Sequence, residues 1–149
     1  MNLKSPYLLA PLAGALWLGL AVTASAATAT PQVVNAQLWD KSDGSQGITL
    51  NTDHVKAGKV TFNVKNVSTD DEDHELLLAV ADSPSALPMD ASGARIDEDK
   101  LTGLKELGDV HPGKTRSTTL TLKPGKYMLF CNEVGHFKAG MYSTFTVAP

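Results

Sequence analysis

Apolar and polar residues alternate with a period of two along much of the chain. Residues 60–65, 117–122, 127–131 and 144–147 all show this alternation. It predicts strands with one apolar and one polar face. Residues 76–80 are apolar throughout and predict a central strand. Two earlier segments bounded by turn residues, Val33–Trp39 and Gly47–Leu50, are also predicted as strands.

Glycine and proline punctuate these segments at regular intervals. Ala57-Gly58, His111-Pro112-Gly113 and Pro124-Gly125 each precede a predicted strand, as turn residues do. About six or seven short strands with regular turn signals favour an all-β sandwich. We find no internal repeat and no second domain.

One long segment, from Asp82 to Asp109, interrupts this rhythm. It contains two prolines, three glycines and charges of both signs. We interpret it as a long loop inserted between two strands. Leu101, Leu104 and Leu107 predict one short helix within it.

The N-terminus has the pattern of a secretory signal peptide. Lys4 precedes an apolar run from Leu8 to Val22, and Ala24-Ser25-Ala26 supplies small residues for cleavage. The alternative, a retained membrane anchor, is disfavoured because a span needs about 20 apolar residues. We therefore predict a signal peptide at 1–26, a flexible N-terminus at 27–32 and a folded domain at 33–149. The expected compartment is the periplasm, with no stable membrane insertion after cleavage.

Charge and cysteine content narrow the possible functions. The net charge of −3 argues against nucleic-acid binding, which usually needs a basic surface. The chain has one cysteine, so no disulfide can form within it. In an exported protein, a single cysteine indicates intermolecular pairing, a reactive thiol or a metal ligand.

The surroundings of Cys131 favour the metal ligand. Cys131, His136 and Met141 follow the spacing Cys-x4-His-x4-Met between two predicted strands. Gly135 and Gly140 precede the histidine and the methionine, where they permit tight bends. Thiolate and thioether suit copper(I), and imidazole suits copper in either oxidation state. Two His and one Cys in a plane, with a distant axial Met, define a blue-copper electron-transfer site.

A fourth ligand is needed from elsewhere in the chain. His74 begins the apolar strand 76–80, so we predict that it reaches the loop from the end of the sandwich. His54 and His111 lie in polar turns, and we interpret both as solvated residues.

These residues resemble the cupredoxins, the blue copper proteins that include plastocyanin, azurin and rusticyanin. The resemblance extends from about Val33 to Val147, and the loop spacing is similar to that of rusticyanin. It implies a Greek-key β-sandwich with one copper ion that cycles between Cu(I) and Cu(II), and a role in electron transport. The ligands that it implies are His74, Cys131, His136 and Met141.

One position departs from the family pattern. Many cupredoxins have an asparagine after the first histidine, where it connects the two ligand loops, whereas Glu75 follows His74 here. We expect Asn132 to supply a substitute for that connection.

The resemblance also implies a redox partner, such as a cytochrome or a copper enzyme, that docks near His136. We expect a monomer with an apolar docking patch formed by Val134, Phe137 and Ala139. The acidic run Asp70–Asp73 before His74 is either a solvated loop or a surface that attracts a basic cytochrome or copper ions.

Two other functions use some of the same residues. A copper carrier or buffer would need the same four ligands, so the sequence leaves it open. A Cys–His hydrolase needs a base beside the thiolate and a group that orients that base. Met141 has no role in such an enzyme, and we predict no enzymatic activity.

Overall fold

A computed structural model describes residues 32–149, and almost all of their regular structure is β. The predicted signal peptide and nearly all of the predicted flexible N-terminus lie outside these residues. The strands are β1 (Gln32–Asp40), β2 (Gln46–Leu50), β3 (His54–Lys56), β4 (Gly58–Asn66), β5 (His74–Val80), β6 (Lys105–Val110), β7 (Thr115–Leu122), β8 (Gly125–Phe130) and β9 (Tyr142–Ala148).

The strands form two sheets. One has the order β2-β1-β4-β7, and the other has the order β3-β9-β8-β5-β6. Two neighbouring pairs are parallel, β1 with β4 and β3 with β9, and the remaining pairs are antiparallel. The predicted all-β sandwich is confirmed.

The main core lies between the sheets and follows from the period of two. In β4, Val60, Phe62 and Val64 are completely buried, while the residues between them are partly exposed. From the opposite sheet, Phe145 of β9 packs its ring against Phe62 at a centroid distance of 5.6 Å. Each strand therefore contributes alternate side chains to one apolar layer.

Strand β5, which lies between β8 and β6, is buried on both faces, as its uninterrupted apolar sequence predicts. Leu76 and Leu78 belong to the core between the sheets. Leu77 and Ala79 belong to a second apolar cluster on the outer face of the five-stranded sheet.

The inserted segment between β5 and β6 covers that outer face. Its Leu87 and Ile96 are buried in the outer cluster. It contains two short 3₁₀ helices, Pro84–Ala86 and Glu98–Lys100.

The helix predicted from Leu101, Leu104 and Leu107 was wrong. The segment turns at Gly103, which has a φ of +66°, and then enters β6, which pairs with β5. Leu107 is buried in the inner core, whereas Leu101 and Leu104 pack against the outer cluster. Leucines spaced by three residues therefore lie on opposite sides of the five-stranded sheet.

Candidate metal centre

Three predicted ligands lie where strands of the five-stranded sheet reach the same end of the sandwich. His74 is the first residue of β5 and has the same parity as the inward-facing Leu76 and Leu78. Cys131 follows β8 and continues the inward series of Tyr127 and Leu129. The alternation that builds the core therefore also directs these two side chains inward.

Met141 completes this end of the sandwich. It precedes β9, has the parity of the inward-facing Phe145 and Val147, and is completely buried. The backbone N–H of Cys131 donates to the carbonyl of Met141 at 3.0 Å, which extends the β8–β9 ladder by one pair. Cys131 and Met141 are therefore opposite each other where the hairpin loop closes.

His136 is positioned by the loop between β8 and β9. The loop turns through two glycines at positive φ, Gly135 at +85° and Gly140 at +98°. The amide of His136 donates to the carbonyl of Glu133 at 3.1 Å, and its carbonyl accepts from the amide of Met141 at 3.0 Å. These bonds hold His136 close to the buried Cys131, as the spacing between the two residues predicted.

The donor atoms of His74, Cys131 and His136 form a compact triangle. The two Nδ1 atoms are 3.3 Å apart. The sulfur of Cys131 lies 3.4 Å from Nδ1 of His136 and 3.9 Å from Nδ1 of His74. An ion at the middle of such a triangle lies about 2 Å from each donor, a normal metal–ligand bond length. The structure thus brings these three predicted ligands together, and their donor set fits copper.

The outer nitrogen of each imidazole contacts an oxygen. Nε2 of His74 lies 2.7 Å from Oγ of Ser68 and 3.5 Å from a carboxylate oxygen of Asp40. Nε2 of His136 lies 3.2 Å from a carboxylate oxygen of Glu72. A proton on Nε2 leaves Nδ1 free to bind a metal, so these contacts favour the required tautomer.

Sequence analysis missed the roles of these three oxygen-bearing residues. Asp40 ends β1 in the four-stranded sheet, and it reaches His74 of the five-stranded sheet only because the two sheets pack together. Ser68 lies in the loop after β4, six residues before His74. Glu72 belongs to the acidic run, so its charge was noted without its contact to His136. No local spacing in the sequence indicates such contacts.

Burial and hydrogen bonds act against each other at Cys131. Burial raises the pKa of its thiol to about 11. Backbone amide hydrogen bonds from Glu133 and Glu75 to the sulfur act in the opposite direction. Burial also lowers the pKa of His74, with a further lowering from the charge of His136. Without a metal, Cys131 is therefore a thiol and His74 a neutral imidazole. A bound cation would favour the thiolate form of Cys131.

Glu75, which follows His74, adds negative charge beside the site. Burial, followed by the charges of Glu98, Asp109, Glu133 and Glu106, raises the pKa of Glu75 to about 7. Its backbone amide, in contrast, donates to the sulfur of Cys131. Glu75 therefore contributes a hydrogen bond from its main chain, and its side chain joins an acidic cluster.

Asn132 connects the loop to the inserted segment. Its side-chain oxygen accepts from the amide of Ile96 at 2.7 Å, and its side-chain nitrogen donates to the carbonyl of Ile96 at 3.1 Å. The same nitrogen donates to a carboxylate oxygen of Glu98 at 2.7 Å. The expectation that Asn132 connects the two ligand loops was therefore wrong, because its side chain joins the loop after Cys131 to residues 96–98.

Two further bonds strengthen this connection. The amide of Gly135 donates to the carbonyl of Ala94 at 2.9 Å. The side chains of Arg95 and Glu133 form an ion pair at 2.9 Å. Residues 94–98 thus brace the half of the loop that lies between Cys131 and His136.

The surface beside His136 is acidic. An open cleft of about 350 Å³ is lined by Glu72, Asp73, Glu133, Val134 and His136. Val134 is 63% exposed, and His136 retains 9% exposure. Phe137 was wrongly expected there, because it is buried in the outer cluster against Phe130, with ring centroids 6.0 Å apart.

The other two histidines are surface residues, as predicted. His54 begins β3, and its ring contacts the neighbouring Asp53 at 3.0 Å. His111 contacts Asp73 at 2.7 Å. Both side chains are largely exposed, so His74 is the histidine that the fold brings to the loop.

The sandwich and its buried cysteine–histidine cluster define a small copper-binding β protein. The sequence profile of the copper binding proteins of the plastocyanin/azurin family matches residues 49–148. The chain therefore belongs to this family, the cupredoxins, and its cofactor is a copper ion, one per chain. A search among curated protein sequences finds no match.

Solved structures support the same fold. Dithionite-reduced auracyanin from Roseiflexus castenholzii is 20% identical with a TM-score of 0.50, covering 81% of this chain and 99% of its own. The azurin Az-iso2 from Methylomonas sp. strain J is 14% identical with a TM-score of 0.52, covering 80% of this chain and all of its own. Within residues 32–149, no helix has the length and apolar character required to cross a membrane.

The protonated thiol makes copper binding depend on pH. Because the pKa of Cys131 is raised to about 11, the thiol must lose its proton when the metal binds. We expect the apparent affinity for copper(II) to rise about tenfold per pH unit between pH 7 and 9, because one proton leaves the thiol for each copper ion bound. Competition with a chelator of known affinity measures this slope. A flat profile would contradict a protonated Cys131 in the apoprotein.

The three hydrogen bonds from Asn132 to residues 96–98, which we call the Asn132 brace, predict a large effect on the free energy of unfolding. Asn132→Ala removes three hydrogen bonds and leaves the buried amide of Ile96 without its acceptor. We expect a loss of about 2–4 kcal/mol in the unfolding free energy of the apoprotein, measured with urea. The control is Asn63→Ala, whose side chain makes exposed hydrogen bonds on β4. Equal losses in the two variants would contradict the brace.

Proposed function

We propose that this protein carries single electrons between redox partners through one type 1 copper site. His74, Cys131 and His136 would hold the copper ion, with Met141 as the fourth ligand. The observation that carries the proposal is the triangle of two Nδ1 atoms and one sulfur, with sides of 3.3–3.9 Å. Copper supplies the one-electron chemistry when it is bound in such a site.

The chain's own contribution is a rigid and mostly dry environment. His74, Cys131 and Met141 are almost completely buried at the ends of paired strands. The Asn132 brace and the backbone hydrogen bonds to the sulfur limit movement of the loop. A site that changes little between oxidation states needs little reorganisation, which favours fast electron exchange.

His136 offers the path to the surface. It is the ligand that borders the open cleft, so a partner that docks there approaches its ring. Glu72, Asp73 and Glu133 give the cleft a negative charge, which suits a basic redox protein such as a cytochrome. We propose a brief contact of this kind by a monomer, since electron-transfer interfaces are usually small and weak.

The compartment is part of the same proposal. The N-terminal sequence pattern supports export through a cleaved signal peptide, and the single cysteine is compatible with an oxidising periplasm. We propose no enzymatic activity for the chain itself.

The ligand set is tested by copper titration with visible and paramagnetic resonance spectra. The wild type should bind one copper(II) and develop an intense visible band, which Cys131→Ser should abolish. His74→Ala should weaken binding, whereas the exposed controls His54→Ala and His111→Ala should match the wild type.

Met141→Gln should keep copper but lower the reduction potential. A band retained in Cys131→Ser would refute the thiolate ligand, and copper transfer without electron exchange would favour a carrier.

Charge in the cleft predicts a salt-dependent reaction rate. Asp73→Asn combined with Glu133→Gln should slow reduction by a basic cytochrome about tenfold at low ionic strength, and high salt should remove the difference. Stopped-flow kinetics measures both rates. The matched control is Asp53→Asn with Asp82→Asn, because Asp53 lies beside Thr146 in the far half of β9 and Asp82 follows the far end of β5. Equal rates for the two double variants would exclude docking at the cleft.

A further inference from the structure

A buried carboxylate lies behind the copper site with no hydrogen bond to its oxygens. Asp40 is the last residue of β1, and its side chain is only 8% exposed. Within residues 32–149, neither of its carboxylate oxygens has a hydrogen-bond partner. Its one ionisable contact in this part of the chain is Nε2 of His74, at 3.5 Å. A buried carboxylate is costly unless a positive charge compensates it, so this arrangement needs an explanation.

The backbone holds Asp40 in this position. The loop after β4 is joined to β1 by the amide of Val67, which donates to the carbonyl of Leu38 at 2.8 Å. The buried side chain of Asn66 donates to the carbonyls of Glu72 and Val110 at 2.8 and 2.9 Å, and its oxygen accepts from the amide of Ser68. Asp40 and Ser68 are therefore held on the same side of the His74 ring.

Ser68 and Asp40 have different effects on His74. Oγ of Ser68 is 2.7 Å from Nε2, so it is the hydrogen-bond partner that orients the ring. Asp40 is farther away but carries a full charge, and its burial reduces screening by water. The hydroxyl orients the ring, and the carboxylate adds a negative charge on its Nε2 side.

We propose that Asp40 is a positioning residue that lowers the reduction potential of the copper site through His74. Its negative charge stabilises the doubly charged ion more than the singly charged ion, because the Coulomb energy grows with the charge. The inference rests on the proposed copper ligand His74 and concerns only how the potential of that site is set.

Glu72 provides a comparison within the same molecule. Its carboxylate lies 3.2 Å from Nε2 of His136, a shorter contact than that of Asp40, but its side chain is 55% exposed. Water screens an exposed charge more strongly than a buried one. Burial therefore makes Asp40 the stronger influence even though its contact is longer.

The test compares three charge-neutralising variants: Asp40→Asn, Glu72→Gln and Asp71→Asn. Asp71 is exposed and only three residues from His74 in the chain. For each copper protein, voltammetry gives the potential, and competition with copper(I) and copper(II) chelators gives the two affinities. We expect Asp40→Asn to reduce the ratio of copper(II) to copper(I) affinity about tenfold, equal to a rise of about 59 mV. Glu72→Gln should give a smaller rise, and Asp71→Asn should give none.

Ser68→Ala separates geometry from charge. It removes the nearer partner of Nε2 without changing the net charge, so we expect an altered paramagnetic resonance spectrum with a smaller change in potential than in Asp40→Asn. A folded Asp40→Asn protein with the wild-type potential would overturn the proposal. So would a shift no larger than that of Glu72→Gln.

The apoprotein gives a second readout that does not depend on a stable variant. Long-range ¹H–¹⁵N spectra of the wild type report which ring nitrogen of His74 carries the proton. The proposal requires the proton on Nε2, facing Ser68 and Asp40, and a proton on Nδ1 would overturn it. If the wild type forms no blue copper complex at all, the proposed function fails instead, and the tautomer still tests the contact.

Discussion

The pairing of β8 with β9 is the constraint on which the site depends. This antiparallel ladder continues one step beyond both strands, where the amide of Cys131 bonds to the carbonyl of Met141. This extra pair closes the loop and places Cys131 and Met141 opposite each other. Residues 132–140 then form a short loop that carries His136. Because β5 pairs with β8 in the same sheet, His74 arrives at the same end. The five-stranded sheet and its β8–β9 loop thus bring the four predicted ligands to one end of the sandwich.

The inserted segment has a structural role on the outside of that sheet. Its apolar residues cover the outer faces of β5 and β8, which would otherwise expose Leu77, Met128 and Phe130. Its residues 94–98 then bond to the loop through Asn132, Glu133 and Gly135. The metal loop is therefore held from two sides, by the inner core and by an external strap.

The positions of His74 and Cys131 were predictable from the sequence because both residues obey the same alternation as the core. His74 and Cys131 each continue the inward series of a strand, and local sequence records that parity. Glycine at positions 135 and 140 also marked the turns, and both have the positive φ that favours this residue. The spacing from Cys131 to Met141 then left few alternatives for the loop.

The remaining features depend on contacts between distant segments. Leu101, Leu104 and Leu107 have a helical spacing, but pairing of β6 with β5 outweighs that local preference. Asp40 lies 34 residues before His74 and meets it only because the sheet that contains β1 packs against the sheet that contains β5. The bonding of Asn132 to Ile96 spans 36 residues in the same way. Such pairings have no signature in local sequence.

The imidazoles of His74 and His136 differ in how firmly the fold holds them. This difference determines the side from which a metal ion can enter the site. The ring of His74 belongs to a strand that is packed on both faces, so its departure would require the sandwich itself to open. The ring of His136 stands on a loop between two glycine hinges at the rim of an open cleft. We therefore expect metal to enter and leave through the His136 side, while His74, Cys131 and Met141 keep their positions.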